Sequence, residues 1–141
     1  MRIILDSTVE TEYGEEFFLS ITDVIAEFVK FETDSELSVV LTDDETIRGV
    51  NLKFRGIDKA TDALSFPMNE KKMLGDIVIS LESAERQALE FDITSDRETA
   101  FLFIHAFLHL LGFDHEKSAE DENKMFDLQE DILRKWEGGR L

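Results

Sequence analysis

The sequence predicts an α+β fold (α/β-type): a single small mixed β-sheet of about four strands packed with about five helices, one of them buried and carrying histidines. Three observations lead there. Short runs rich in Ile, Leu and Val alternate with longer segments whose apolar residues recur at helical spacing. Two of the short runs are separated by Pro67, Asn69 and Gly75, residues that suit a hairpin loop. Finally, nearly every non-histidine residue from 101 to 111 is apolar, the pattern of a helix enclosed on all sides.

The elements follow in order. Residues 2–5 (Arg-Ile-Ile-Leu) suit a strand. Across 14–31, Phe17, Phe18, Ile21, Ile25, Phe28 and Val29 recur at helical spacing and predict an amphipathic helix. Residues 37–41 form a continuous apolar run, a buried strand stopped at Thr42. Asp43 can cap a helix reaching about Phe54, with Ile47, Val50 and Phe54 on its inner face. Residues 63–66 and 77–80 are strand-like. Helices are expected over 83–91, 95–111 and 118–136, the last with Met125, Leu128, Ile132 and Leu133 facing inward.

A chain of 141 residues fits one domain, 1–141, able to bury a core without covalent staples. Cysteine is absent, which excludes disulfides and thiolate metal sites. No apolar run approaches the roughly 18 residues a membrane span needs, so a soluble, cytoplasmic protein is expected. The net charge of -17 argues against nucleic acid as a partner, yet its distribution is uneven. From Arg48 to Lys72, six basic residues stand against three acidic ones. A locally positive surface on an acidic body can take up a polyanion at one place and repel it elsewhere.

The chain's three histidines, His105, His109 and His115, fall within eleven residues. On a helix, residues four apart stack one turn above each other, so His105 and His109 can aim at a common ion. If the helix continued, His115 would lie roughly 9 Å beyond His109 along the axis and on another azimuth, so the chain must turn. Gly112 permits that turn through the left-handed conformation. Two imidazoles on a buried helix need partners, and a metal supplies them. Three neutral imidazoles resemble catalytic zinc arrangements, with water in the fourth place; another divalent transition metal is the alternative. One ion per chain is expected, and hydrolysis is the leading chemistry. A phosphodiester gains most from an undiluted positive charge. The same spacing matches metzincin proteases, but they carry Glu after the first histidine as general base, where this chain has Ala106.

The run from His105 to His115 also resembles the signature of the YbeY family of bacterial endoribonucleases, and three other segments agree in order. Arg55 with the basic loop leads into Thr61-Asp62-Ala63-Leu64-Ser65-Phe66-Pro67, Leu74-Gly75-Asp76-Ile77 follows, and Met125 to Glu130 with Ile132-Leu133 closes the match. The similarity covers most of the chain from about Leu41 onward. Ala106 stands where the family usually has glycine. The resemblance implies a small α/β fold, zinc on His105, His109 and His115, and cleavage of single-stranded RNA in ribosomal RNA maturation and ribosome quality control. It also implies that Arg55 is catalytic, as suits a guanidinium that clamps phosphate and stabilises developing charge. Lys59 and Lys72 are candidates to hold the RNA backbone beside it, and Ser65 is expected to line the cleft. Ribosomal RNA and the ribosome or its proteins are the expected partners. Two alternatives stand: a non-enzymatic ribosome assembly factor with a structural metal, and a metalloprotease-like hydrolase.

Overall fold

A computed structural model describes residues 1–113 and 118–140. The expected third ligand, His115, lies outside the described residues. The elements are β1 (Arg2–Ser7), α1 (Glu15–Phe28), β2 (Glu36–Thr42), α2 (Asp44–Arg55), β3 (Ala63–Glu70), β4 (Met73–Ser80), α3 (Leu81–Phe91), α4 (Ser95–Leu110) and α5 (Ala119–Gly139). The strands form one sheet in the order β1-β2-β4-β3. β1 and β4 both run parallel to β2, while β3 returns antiparallel to β4 across a hairpin. This is the mixed α+β sheet that the sequence predicts.

Side chains at the caps set the starts of α2, α3, α4 and α5, whereas α1 begins at Gly14 without one. Asp43 accepts a hydrogen bond from the Thr46 amide, Ser80 from Ser83, Thr94 from Arg97 and Ser118 from Asp121. Each such cap is worth about 1 kcal/mol. Alternation along the strands divides the core in two. Ile3, Leu37, Val39, Leu41, Ile77 and Ile79 belong to the main core with α1, α4 and α5. Leu64 and Val78 belong to a smaller cluster under Ile47 of α2. Phe103, Ile104, Phe107 and Leu108 on α4 are fully buried, each stabilising the fold by roughly 1.5–3 kcal/mol relative to exposure.

The hairpin differs from expectation. Pro67 and Gly75 lie inside β3 and β4, opposite one another, and the turn falls at Lys71-Lys72. Proline is tolerated because β3 is an edge strand, where one side needs no ladder donor. Gly75, with φ 147°, lets the strands close on each other: a Cβ there would lie 2.3 Å from the Phe66 carbonyl oxygen. Two helix faces also differ. α1 stops at Phe28, whose ring is 40% exposed, and Val29 takes an extended conformation. On α2 the buried residues are Ile47 and Asn51, whereas Phe54 is 63% exposed and leans on Phe66 with ring centroids 5.5 Å apart.

Candidate functional site

α4 is enclosed over most of its surface, but the stripe bearing Phe101, His105 and His109 is only half-buried and faces β3. The expectation of imidazoles wholly buried with their helix is thereby corrected. α4 ends as Gly112 suggests. The Gly112 amide donates to the His109 carbonyl at 3.0 Å and the Phe113 amide to the Leu108 carbonyl at 3.1 Å, with Gly112 at φ 97°. This double bond pattern is the Schellman turn, and it ends the helix within one turn of His109.

His105 is locked from behind. Its Nδ1 lies 2.8 Å from Oε1 of Gln129 on α5, and the Gln129 amide nitrogen donates to the Met125 carbonyl at 3.2 Å. That second bond sets the amide so that oxygen faces the imidazole; His105 therefore carries its proton on Nδ1 and presents the Nε2 lone pair to the cleft. Phe101 stacks near-parallel to the ring, at 25°. The two Nε2 atoms of His105 and His109 are 3.2 Å apart. This is hydrogen-bond distance, and it is also the edge of a zinc tetrahedron: two Zn–N bonds of about 2.05 Å at a tetrahedral angle separate their nitrogens by about 3.3 Å. The donor set and spacing fit a borderline divalent ion.

The imidazoles open into a cleft of about 370 Å³, whose other walls include Arg55, Thr61, Asp62, Ser65 and Ala106. Arg55 is the last residue of α2. Gly56, with φ 72°, ends that helix with its own amide and that of Ile57 bonded back to Leu52 and Asn51, so the chain turns and Arg55 stands at the rim. Ser65 lines the cleft from β3, as expected. Lys59 is in an adjoining cleft that shares Arg55, Thr61 and Asp62. Lys72 is elsewhere: it sits in the β3–β4 turn, with its ammonium 3.2 Å from Asp34. Seven strand steps of about 3.3 Å separate the two ends of β3, which puts Lys72 beyond contact with a group held at the histidines.

Two residues have roles here that the sequence analysis did not find. Gln129 falls on the inward stripe of α5 between Met125 and Ile132, and a buried polar residue on an apolar stripe is the signal that it has a specific partner. Asp62 is the one acid lining either cleft among the described residues, and Gln87 donates to its Oδ2 at 3.3 Å. Behind it, Glu98 on α4 is 5% exposed; burial, then the Asp62 charge, raise its carboxyl above the ordinary range.

Fold and cleft together define a class: a small mixed-sheet domain with two imidazoles on a core helix facing an arginine across an open groove. The model of the family described as Endoribonuclease YbeY matches residues 4–137, and this chain belongs to that family. An Endoribonuclease YbeY of a Sulfurihydrogenibium species is 42% identical over 140 residues, covering 95% of this chain and 91% of the relative. One from Acholeplasma laidlawii is 46% identical over 110 residues, 77% of this chain and 80% of the relative. One from Bacillus thuringiensis is 39% identical over 157 residues, 99% of this chain and all of the relative. Among solved structures, the solution structure of a Thermotoga maritima protein superposes with a TM-score of 0.68 at 31% identity, covering 97% of this chain and 90% of the other. No helix among the described residues is long and apolar enough to cross a membrane.

Proposed function

We propose that this chain is a single-strand-specific endoribonuclease of ribosomal RNA maturation and ribosome quality control, with one zinc ion on His105, His109 and His115 and Arg55 as its catalytic residue. The observation that carries the reading is the pair of Nε2 atoms 3.2 Å apart, with His105 oriented by Gln129, in the same cleft as a terminal arginine. Held by these neutral imidazoles, a zinc ion would supply an undiluted Lewis acid for activating water and polarising a phosphoryl oxygen.

The chain's own residues do the rest. The planar fork of Arg55 matches two phosphate oxygens and stabilises the charge that grows on them as the diester opens. Gln129 holds His105 in one tautomer and one orientation. Lys59, in the adjoining cleft, offers a point charge to the RNA backbone. Ala106, 3% exposed beneath the cleft, supplies no base for peptide hydrolysis. Cytoplasmic location and association with the ribosome belong to the same reading.

The test is cleavage of single-stranded RNA by zinc-loaded wild type, Arg55→Ala and His109→Ala, with metal content measured on each. Wild type should cut, Arg55→Ala should retain zinc and fail to cut, and His109→Ala should lose both. RNA left intact by the loaded wild type while ribosome binding is normal would refute the enzyme and favour an assembly factor.

A further inference from the structure

We propose that the cleft adjoining the histidines is the subsite for the phosphate of the neighbouring nucleotide, with Arg86 as its positioning residue. This rests on the nuclease reading and extends it from one phosphate to two. The two clefts, each about 370 Å³, share Arg55, Thr61 and Asp62 as their common wall. A single strand whose cleaved phosphate lies on Arg55 therefore continues past that wall into the second cleft. There it meets Lys59 and Arg86. In a chain of net charge -17, Arg55, Lys59 and Arg86 around this groove outnumber Asp62 in its wall and Asp44 paired to Arg86, so the local balance favours a polyanion.

Arg86 is built in place. Its Nη1 donates to Asp44 Oδ2 at 3.0 Å and its Nη2 to Ser83 Oγ at 3.1 Å, while Asp44 accepts from the hydroxyls of Ser80 and Ser83, both at 2.6 Å. This consumes two of the five guanidinium donors and leaves the remainder for a ligand, with the side chain already ordered. The floor is equally specific. Asn51, 3% exposed, donates from Nδ2 to the Lys59 carbonyl at 2.8 Å and so fixes the loop carrying Lys59. Its Oδ1 is a buried acceptor in the wall of this cleft that no group among the described residues satisfies. Asp62, at the junction, accepts from Gln87 at 3.3 Å, and its charge turns phosphates on either side toward Arg55, Lys59 and Arg86.

The test uses a fluorescein-labelled oligouridylate, its binding followed by anisotropy against salt, with wild type, Arg86→Gln, Arg86→Lys and Lys59→Gln. Arg86→Gln removes the charge and leaves a polar side chain beside Asp44; it should flatten the log K against log salt slope by about 0.7, one phosphate contact on a single strand. Arg86→Lys should restore the slope, and Lys59→Gln, which leaves the Asp44 anchorage intact, should flatten it like Arg86→Gln. In cleavage, Arg86→Gln should raise KM on the oligonucleotide about tenfold, while a dinucleotide with only the scissile phosphate is cut as by wild type. Unchanged slopes in both glutamine variants, or equal KM effects on the two substrates, overturn the proposal. Failure of wild type to cut any RNA counts against the nuclease reading alone, because the salt slopes still decide the subsite.

Discussion

Gln129→Met removes one bond from the site while preserving the length and helix propensity of the side chain. His105 Nδ1–H then points at a thioether in a place where Gln129 is only 5% exposed, so water does not replace the lost acceptor. An unsatisfied donor of this kind costs about 1–3 kcal/mol, which at this chain length lowers the melting temperature by about 3 °C per kcal/mol in the presence of chelator. Zinc affinity should fall about 10–100-fold, or about 1.4–2.7 kcal/mol, the usual effect of removing the partner behind a ligating histidine. Little of this comes from distance. The Nε2 atoms already stand 3.2 Å apart, and the tetrahedral edge of about 3.3 Å requires almost no movement, so the loss lies in orientation and basicity. The assay is competition for zinc against a chromophoric chelator, with melts recorded with and without metal. Gln129→Glu retains an acceptor and should bind zinc at least as tightly as wild type. Wild-type zinc affinity in the methionine variant, or equal losses in both, would refute the reasoning.

Arg55→Ala should lower the cleavage rate about 10²–10³-fold while melting temperature and zinc content stay unchanged, read by single-turnover cleavage and elemental analysis. Gly75→Ala places a Cβ 2.3 Å from the Phe66 carbonyl at φ 147° and should destabilise by about 3 kcal/mol or more in urea unfolding. The sole tyrosine, Tyr13, is pushed up to about 12, first by burial and also by its bond to Asp96, so ultraviolet titration should show one late phenol. Its proton is held more tightly folded than unfolded; stability should therefore decline as pH rises from about 10 to about 12. For Glu98 the raised carboxyl means that the folded state binds the proton more tightly, so its contribution is present at low pH and lost as pH rises through the folded value. Glu98→Gln should stabilise the protein at pH 7 and do so less at pH 4, as measured by urea unfolding at both.

The cap at Asp43, the inward stripe of α5, the apolar run of α4 and the turn at Gly112 are local consequences of residue type, and each was legible in the sequence; the half-buried stripe of α4 that carries His105 and His109 was not. Pro67 and Gly75 were not: both residue types normally break strands, and only pairing at a sheet edge with a close backbone approach gives them a place in one. Phe54 was misplaced for a related reason, since periodicity marks an apolar residue without showing whether a neighbouring element covers it. The pairing of His105 with His109 follows from their spacing of four. Gln129 reaches the back of His105, and Arg86 the adjoining cleft, from distant segments, a tertiary fact that no local pattern contains. Lys72 was grouped with Arg55 by charge and sequence proximity, and the hairpin carries it to the far end of the sheet.

The bond from Gln129 to His105 spans 24 positions of sequence and joins α4 to α5. During synthesis the histidines leave the ribosome before their support does. Sheet and α4 can gather first, because every strand among the described residues precedes α4 in the chain. The imidazole of His105 acquires its fixed tautomer only once α5 has emerged and docked. A cleft whose imidazole is fixed by α5 is thus kept unfinished until that helix has been made and packed.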